Sequence, residues 1–94
     1  MTDGESITYY DTGEIKYKCN YLGGELHGEY ICYYISGEIS YKINFIDGKR
    51  HGEFTAYYES GEVDFKSYDI NGEGVTELEW LCYNRNIKFE LLVL

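Results

Sequence analysis

Apolar and polar side chains alternate at period two along most of this chain. In Ile39-Ser40-Tyr41-Lys42-Ile43-Asn44-Phe45 every second residue is aliphatic or aromatic, and those between are polar or charged. That spacing marks a strand with one face covered and the other wet. No stretch of 11 or more residues carries a clean helical stripe, so the pattern predicts no helix. Thr12-Gly13, Ser36-Gly37 and Ser60-Gly61 interrupt the alternation and are read as two-residue hairpin turns, where glycine accepts the positive φ that a tight turn needs. The connections around Gly23-Gly24, Asp47-Gly48 and Asn71-Gly72 are read as longer. Strands are then expected at about 5–10, 15–22, 28–35, 38–46, 52–59, 62–70, 76–83 and 86–93.

The pattern also repeats. Tyr9-Tyr10-Asp11-Thr12-Gly13-Glu14-Ile15 overlays Tyr33-Tyr34-Ile35-Ser36-Gly37-Glu38-Ile39 and Tyr57-Tyr58-Glu59-Ser60-Gly61-Glu62-Val63, a period of 24 residues. Half a period later, Gly24-Glu25-Leu26-His27-Gly28-Glu29-Tyr30 falls on Gly48-Lys49-Arg50-His51-Gly52-Glu53-Phe54, with a decayed copy from Gly72 to Leu78. Each unit of such a chain needs its neighbours to bury its apolar residues. The expected fold is all-β: a single antiparallel meander of about eight strands filling one domain, 1–94, with repeats at 9–32, 33–56 and 57–80 and a partial C-terminal cap at 81–94.

Turn positions imply a register. Placing the turn at Thr12-Gly13 sets Tyr10 against Ile15, Tyr9 against Lys16 and Thr8 against Tyr17. Extended along the chain, this sorts Tyr17, Tyr30, Tyr34, Tyr41, Ile43, Phe54, Tyr58, Phe65 and Trp80 onto one face. Lys16, Lys18, Glu29, Lys42, Asn44, Glu53, Lys66 and Glu79 fall on the other. A slip of one residue would exchange the faces. On the polar face Lys18 is expected opposite Tyr33 and Lys42 opposite Tyr57, each stem over a ring. The same register puts Cys19 directly opposite Cys32.

Composition removes several functions. The net charge of -9 repels phosphate backbones and anionic lipid, so neither nucleic acid nor membrane is expected as a direct partner. No apolar run approaches the roughly 18 residues of a membrane span. The acidic start Met1-Thr2-Asp3-Gly4-Glu5 has neither part of a signal peptide, and three cysteines is an odd number, so a reducing cytoplasm is the expected location. His27 and His51 are equivalent residues two strands apart, about 10 Å at the spacing of a sheet, too far to share an ion. They are read as turn residues, and neither metal nor cofactor is expected. The carboxylates at the turns recur with the period and no unique nucleophile joins them, so the chain is not expected to be an enzyme.

The unit Tyr-Tyr-x-Ser-Gly-Glu-Ile, followed by an alternating strand and Asp47-Gly48-Lys49-Arg50-His51-Gly52-Glu53-Phe54, resembles the MORN repeat in its slightly longer variant. The resemblance implies an antiparallel meander used for protein contacts, and small bacterial proteins of this type imply an antitoxin-like role. An aromatic face with no helix to cover it should meet another protein or a second copy of the chain. The residues expected to carry that contact are Tyr34, Tyr41, Tyr58, Phe65 and Trp80. The rival reading is an acidic inhibitor mimicking nucleic acid, of a phage type that blocks a nuclease or defence complex. It would use Glu53, Glu59, Glu62, Asp64, Asp69, Glu73, Glu77 and Glu79.

Overall fold

The computed structural model describes residues 3–85. Nine strands form one open antiparallel sheet: β1 (Gly4–Tyr9), β2 (Ile15–Leu22), β3 (Glu25–Leu26), β4 (Gly28–Tyr33), β5 (Ile39–Ile46), β6 (Lys49–Arg50), β7 (Gly52–Tyr57), β8 (Val63–Ile70) and β9 (Glu73–Val75). The main order is β1-β2-β4-β5-β7-β8-β9. The short β3 and β6 pair with the far ends of β2 and β5. Each short strand and its successor is therefore one strand kinked at a histidine. The all-β meander expected from the alternation is what forms.

The turns reverse the expected assignment. Gly23-Gly24, Asp47-Gly48 and Asn71-Gly72 are the two-residue loops: the first residue of each has φ of 62°, 50° and 51°, the second 83°, 80° and 88°. Two successive positive values define a type I′ turn, for which Asp-Gly and Asn-Gly are the strongest local signal. The flanking pairs are Leu22 with Glu25, Ile46 with Lys49 and Ile70 with Glu73. The Ser/Thr-Gly sites are longer. Gly13 N–H donates to the Tyr10 carbonyl at 2.9 Å, and Tyr10 N–H to the Glu14 carbonyl at 2.8 Å. Gly13 at φ 96° then forms the bulge that follows a type I turn. Tyr9 consequently pairs with Ile15, not Lys16, while Thr8 keeps Tyr17.

Kinks at the histidines shift the register between repeats. Past Gly23-Gly24, His27 N–H donates to the Asn20 carbonyl at 2.9 Å, yet Lys18 pairs with Ile31 and Tyr17 with Cys32. Gly28, Glu29 and Tyr30 thus stand against Cys19 alone, a bulge wider by two residues. An even offset preserves the faces and changes the partners. Cys19 therefore pairs with Ser6 on β1, and Cys32 with Tyr17 and Tyr41, so the expected Cys19–Cys32 opposition does not occur. Both thiols are free.

The seventh expected strand, 76–83, is instead helix α1 (Glu77–Asn84). Thr76 is its N-cap: the Glu79 N–H donates to the Thr76 hydroxyl at 3.1 Å and the Thr76 N–H to the Glu79 carboxylate at 3.0 Å. This reciprocal box satisfies two amides that a helix start leaves open. Thr76 occupies the repeat position of Gly4, Gly28 and Gly52, whose φ values are 105°, 90° and 99°. A threonine resists that conformation. At φ -76° it sends the chain out of the sheet. The eighth expected strand, 86–93, and most of the cap at 81–94 lie outside the described residues.

Candidate protein-interaction face

Ladder pairing places Tyr17, Cys32, Tyr41, Ala56 and Phe65 side by side across five strands on one face. Tyr30, Ile43 and Phe54 lie two residues further along the same strands. Their rings interleave diagonally, with centroids 5.3 Å apart for Tyr17–Tyr30, 6.3 Å for Tyr30–Tyr41, 5.6 Å for Tyr41–Phe54 and 5.6 Å for Phe54–Phe65. Offset stacking of this kind adds about 0.5–1.5 kcal/mol per pair beyond the area covered. The ladder therefore holds neighbouring repeats together while leaving ring faces in water.

A hollow of about 450 Å³ opens among Tyr30, Tyr41, Ile43, Phe45, Arg50 and Phe54. Arg50 lies over the Phe54 ring at 5.5 Å, with its Nε 3.5 Å from Asp69 Oδ2. Burial, then the neighbouring Tyr41 and Tyr17 hydroxyls, pushes Tyr30 up to about 12. Tyr41 is raised by burial and by Cys32 beside it. Neither hydroxyl carries charge near neutrality, so this face offers neutral rings and one paired guanidinium.

The five expected contact residues separate. Tyr41 and Phe65 sit in the ladder, Phe65 half-exposed at 52%. Tyr34 lies at a turn and its hydroxyl donates to the Tyr57 carbonyl at 2.6 Å, as Tyr10 does to Tyr33 at 2.7 Å. These tyrosines lace one repeat to the next. Tyr58, the third of the series, is exposed, and the neighbouring Asp64 carboxylate raises its pKa. Trp80 is not on the aromatic face. It lines a hollow of about 280 Å³ with Glu29, Lys42, Asn44, Glu53 and Thr55, all of the opposite face. Its ring lies about 3.6 Å from where a Cβ on Gly52 would stand, and 5.4 Å from the His51 ring.

Lys18 lies 5.9 Å from the Tyr33 ring and Lys42 6.0 Å from the Tyr57 ring, although their backbone partners are Ile31 and Thr55. The lysine–tyrosine ladder is thus diagonal. Position 81 is leucine, and Lys66 turns to Glu53 at 3.2 Å. The histidines are built into the kinks. His27 Nδ1 accepts from the Asp47 N–H at 3.5 Å, and His51 Nδ1 from the Asn71 N–H at 3.3 Å. Periodicity showed that the two were equivalent, but nothing in the sequence revealed these bonds to the next repeat's turn.

The acidic residues form no single array. Glu53 accepts from the Thr55 hydroxyl at 2.7 Å and pairs with Lys66, Asp69 is buried beside Arg50, and Glu79 closes the helix cap. Glu59, Glu62 and Asp64 gather around the Ser60-Gly61 turn; Glu73 and Glu77 lie near the opposite end of β8. Among the described residues no group of three His, Cys, Asp or Glu could hold a metal ion, and no helix is long and apolar enough to cross a membrane.

The model of the MORN repeat variant family matches residues 2–22, 26–47 and 50–68, together more than half of the chain. The chain belongs to the MORN repeat variant family. Each matched MORN segment centres on a long hairpin: β1 with β2, β4 with β5, β7 with β8. No curated protein and no solved structure matches the chain. MORN repeats serve generally as protein- and membrane-interaction modules.

Proposed function

We propose that this chain is a non-enzymatic module that binds one protein partner through the ladder Tyr17–Tyr30–Tyr41–Phe54–Phe65 and so blocks that partner, as an antitoxin does, in the cytoplasm. One observation carries this reading: among the described residues only Cys19, Ile43 and Cys82 are buried apolar side chains. A sheet with so little core leaves its rings against water. At roughly 25 cal/mol per Å², covering even 400 Å² of them gains about 10 kcal/mol, comparable with the whole stability of a small domain. Neutral tyrosines with a paired arginine suit an apolar contact with a polar rim.

The test is capture of the partner by the tagged chain at rising salt, beside Tyr41→Glu and Lys42→Glu. The partner should stay bound at high salt, be lost with Tyr41→Glu, and be kept with Lys42→Glu on the opposite face. Loss of the partner with salt alone would favour the acidic nucleic-acid mimic, because screening weakens contacts between exposed charges. Capture unaffected by Tyr41→Glu would remove the aromatic face from the interaction.

A further inference from the structure

The two long edges of the sheet are complementary to each other. Gly4-Glu5-Ser6-Ile7-Thr8-Tyr9-Tyr10 is equivalent to Gly28–Tyr34 and Gly52–Tyr58, and β8 is equivalent to β2 and β5. Within the chain, each strand of the first kind pairs with the preceding strand of the second kind: Tyr17 with Cys32 and Lys18 with Ile31, then Tyr41 with Ala56 and Lys42 with Thr55. The next pairing in the series would use Phe65 and Lys66 of β8. Residues 76–81 should supply it, but they have left the sheet as α1. Among the described residues β9 covers only Tyr68, Asp69 and Ile70, and Val63–Lys66 are exposed. Trp80 lies over Gly52 on the lysine-bearing face and does not occupy this edge.

Among the described residues, two side chains at that edge lack the partners their equivalents have. Tyr10 and Tyr34 donate to the carbonyls of Tyr33 and Tyr57, but the carbonyl equivalent for Tyr58, that of Leu81, accepts from the Arg85 N–H inside the helix. Lys18 and Lys42 lie over Tyr33 and Tyr57, whereas among the described residues Lys66 lies over no ring. At the other end of the sheet β1 offers an exposed Tyr9 with ring and carbonyl. Its Ser6-Ile7-Thr8 carries no proline, lysine or inward charge of the kind that keeps edges apart.

We propose that β1 of a second copy of this chain pairs antiparallel with β8, Thr8 against Phe65 and Ile7 against Lys66, so that copies join head to tail in one continuous sheet. Tyr58 then donates to the Tyr9 carbonyl of the second copy, and Lys66 reaches over its Tyr9 ring. The contact is heterologous, so it propagates until a ring closes or a filament forms. With each copy at -9, repulsion opposes it, and added salt should strengthen the association. It uses the sheet's edges and leaves the aromatic face open, so it stands independently of the partner proposed above.

Sedimentation velocity on the full chain, over a concentration series at low and high salt, tests this. The mean mass should rise with concentration, and further with salt. Ile7→Lys, which sets a lysine against Lys66 of the neighbouring copy, should raise the concentration needed for association at least tenfold without changing the circular dichroism of the dilute chain. The double variant I7K/K66E should restore association, and Tyr58→Phe should weaken it several-fold. A chain monomeric at every concentration overturns the proposal. So does association abolished by Tyr41→Glu but indifferent to Ile7→Lys, which would mean copies meeting face to face.

Discussion

Residues 52–58 and 76–82 occupy the same positions in successive repeats and fold differently. Gly52-Glu53-Phe54-Thr55-Ala56-Tyr57 is the strand β7, whereas Glu77-Leu78-Glu79-Trp80-Leu81-Cys82 opens the helix α1. The first begins on a glycine at φ 99°, a value the second cannot reach with threonine at its start. The middle of the first is aromatic and β-branched, while the second offers leucine and glutamate, better helix formers than strand formers. Thr76 then finds Glu79 three residues on, and the capping box stabilises the alternative. One backbone position, read by one residue type, decides whether the sheet grows or stops.

The largest effect should come from forcing the wrong residue onto the strand side of this pair. Gly52→Val places a β-branched side chain at positive φ, a strain on the order of 1–3 kcal/mol, and presses its branches on the Trp80 ring. A fall in Tm of about 10 °C is expected. Fluorescence should shift to the red, because Trp80 is the chain's single tryptophan. Gly28→Val has the same strain but open space around it, so it should lower Tm less and leave the fluorescence unmoved. Equal shifts in both variants would show that α1 is not docked over Gly52.

Breaking the helix side should cost less. Thr76→Ala removes the cap and should destabilise by about 1 kcal/mol, with loss of ellipticity at the helical band. Thr76→Gly should cost only a few tenths of a kcal/mol, since glycine is a tolerable cap. If neither variant alters ellipticity or Tm, the threonine does not terminate the sheet.

The same contrast separates what the residues disclosed from what they concealed. Period-two alternation was strong enough to sort Tyr17, Tyr30, Tyr41 and Phe54 onto one face, because the register error between repeats was even and the one-residue shift beside the Thr12-Gly13 turn is undone by Thr8. Turn lengths were legible and misread: Asp47-Gly48 and Asn71-Gly72 are type I′ signals, whereas Ser-Gly follows a type I turn. The helix was legible too, as Thr-x-x-Glu before Trp80-Leu81, but eight residues are too few for a helical stripe to emerge. Expecting Trp80 on the aromatic face followed from treating 76–83 as a strand. The tyrosine hydroxyls that bridge repeats were not legible at all, since periodicity reports equivalence and not bonding.

A smaller effect compares Tyr34 with Tyr58. Tyr34→Phe removes a half-buried bond to the Tyr57 carbonyl and should cost about 0.5–1.5 kcal/mol in a urea titration. Tyr58→Phe, measured on dilute chain, should be nearly silent because that hydroxyl is exposed. A cost at Tyr58 equal to that at Tyr34 would mean that Tyr58 is already bonded within the single chain.

The smallest effect is on pH, and it separates the two carboxylates of the pair. Glu53 is held below the ordinary glutamate value first by the Thr55 hydroxyl and then by Lys66, and Glu79 first by the Thr76 backbone N–H. Both bind protons more weakly when folded than when unfolded. Their contribution is therefore complete above the ordinary carboxylate range and fades as pH falls through their lowered values. Lys66 is raised by Glu53, so its share is present below the ordinary lysine range and fades as pH rises through its raised value. Glu53 is nearly half exposed, and salt screens its attraction to Lys66. The hydrogen bond from Thr55 acts at contact distance and is not screened. The acid limb of the stability curve should therefore persist at high salt, flatten partly with Glu53→Gln, and flatten further with Glu53→Gln and Glu79→Gln together. An acid limb unchanged by Glu53→Gln would mean that the Thr55–Glu53 bond does not survive in solution.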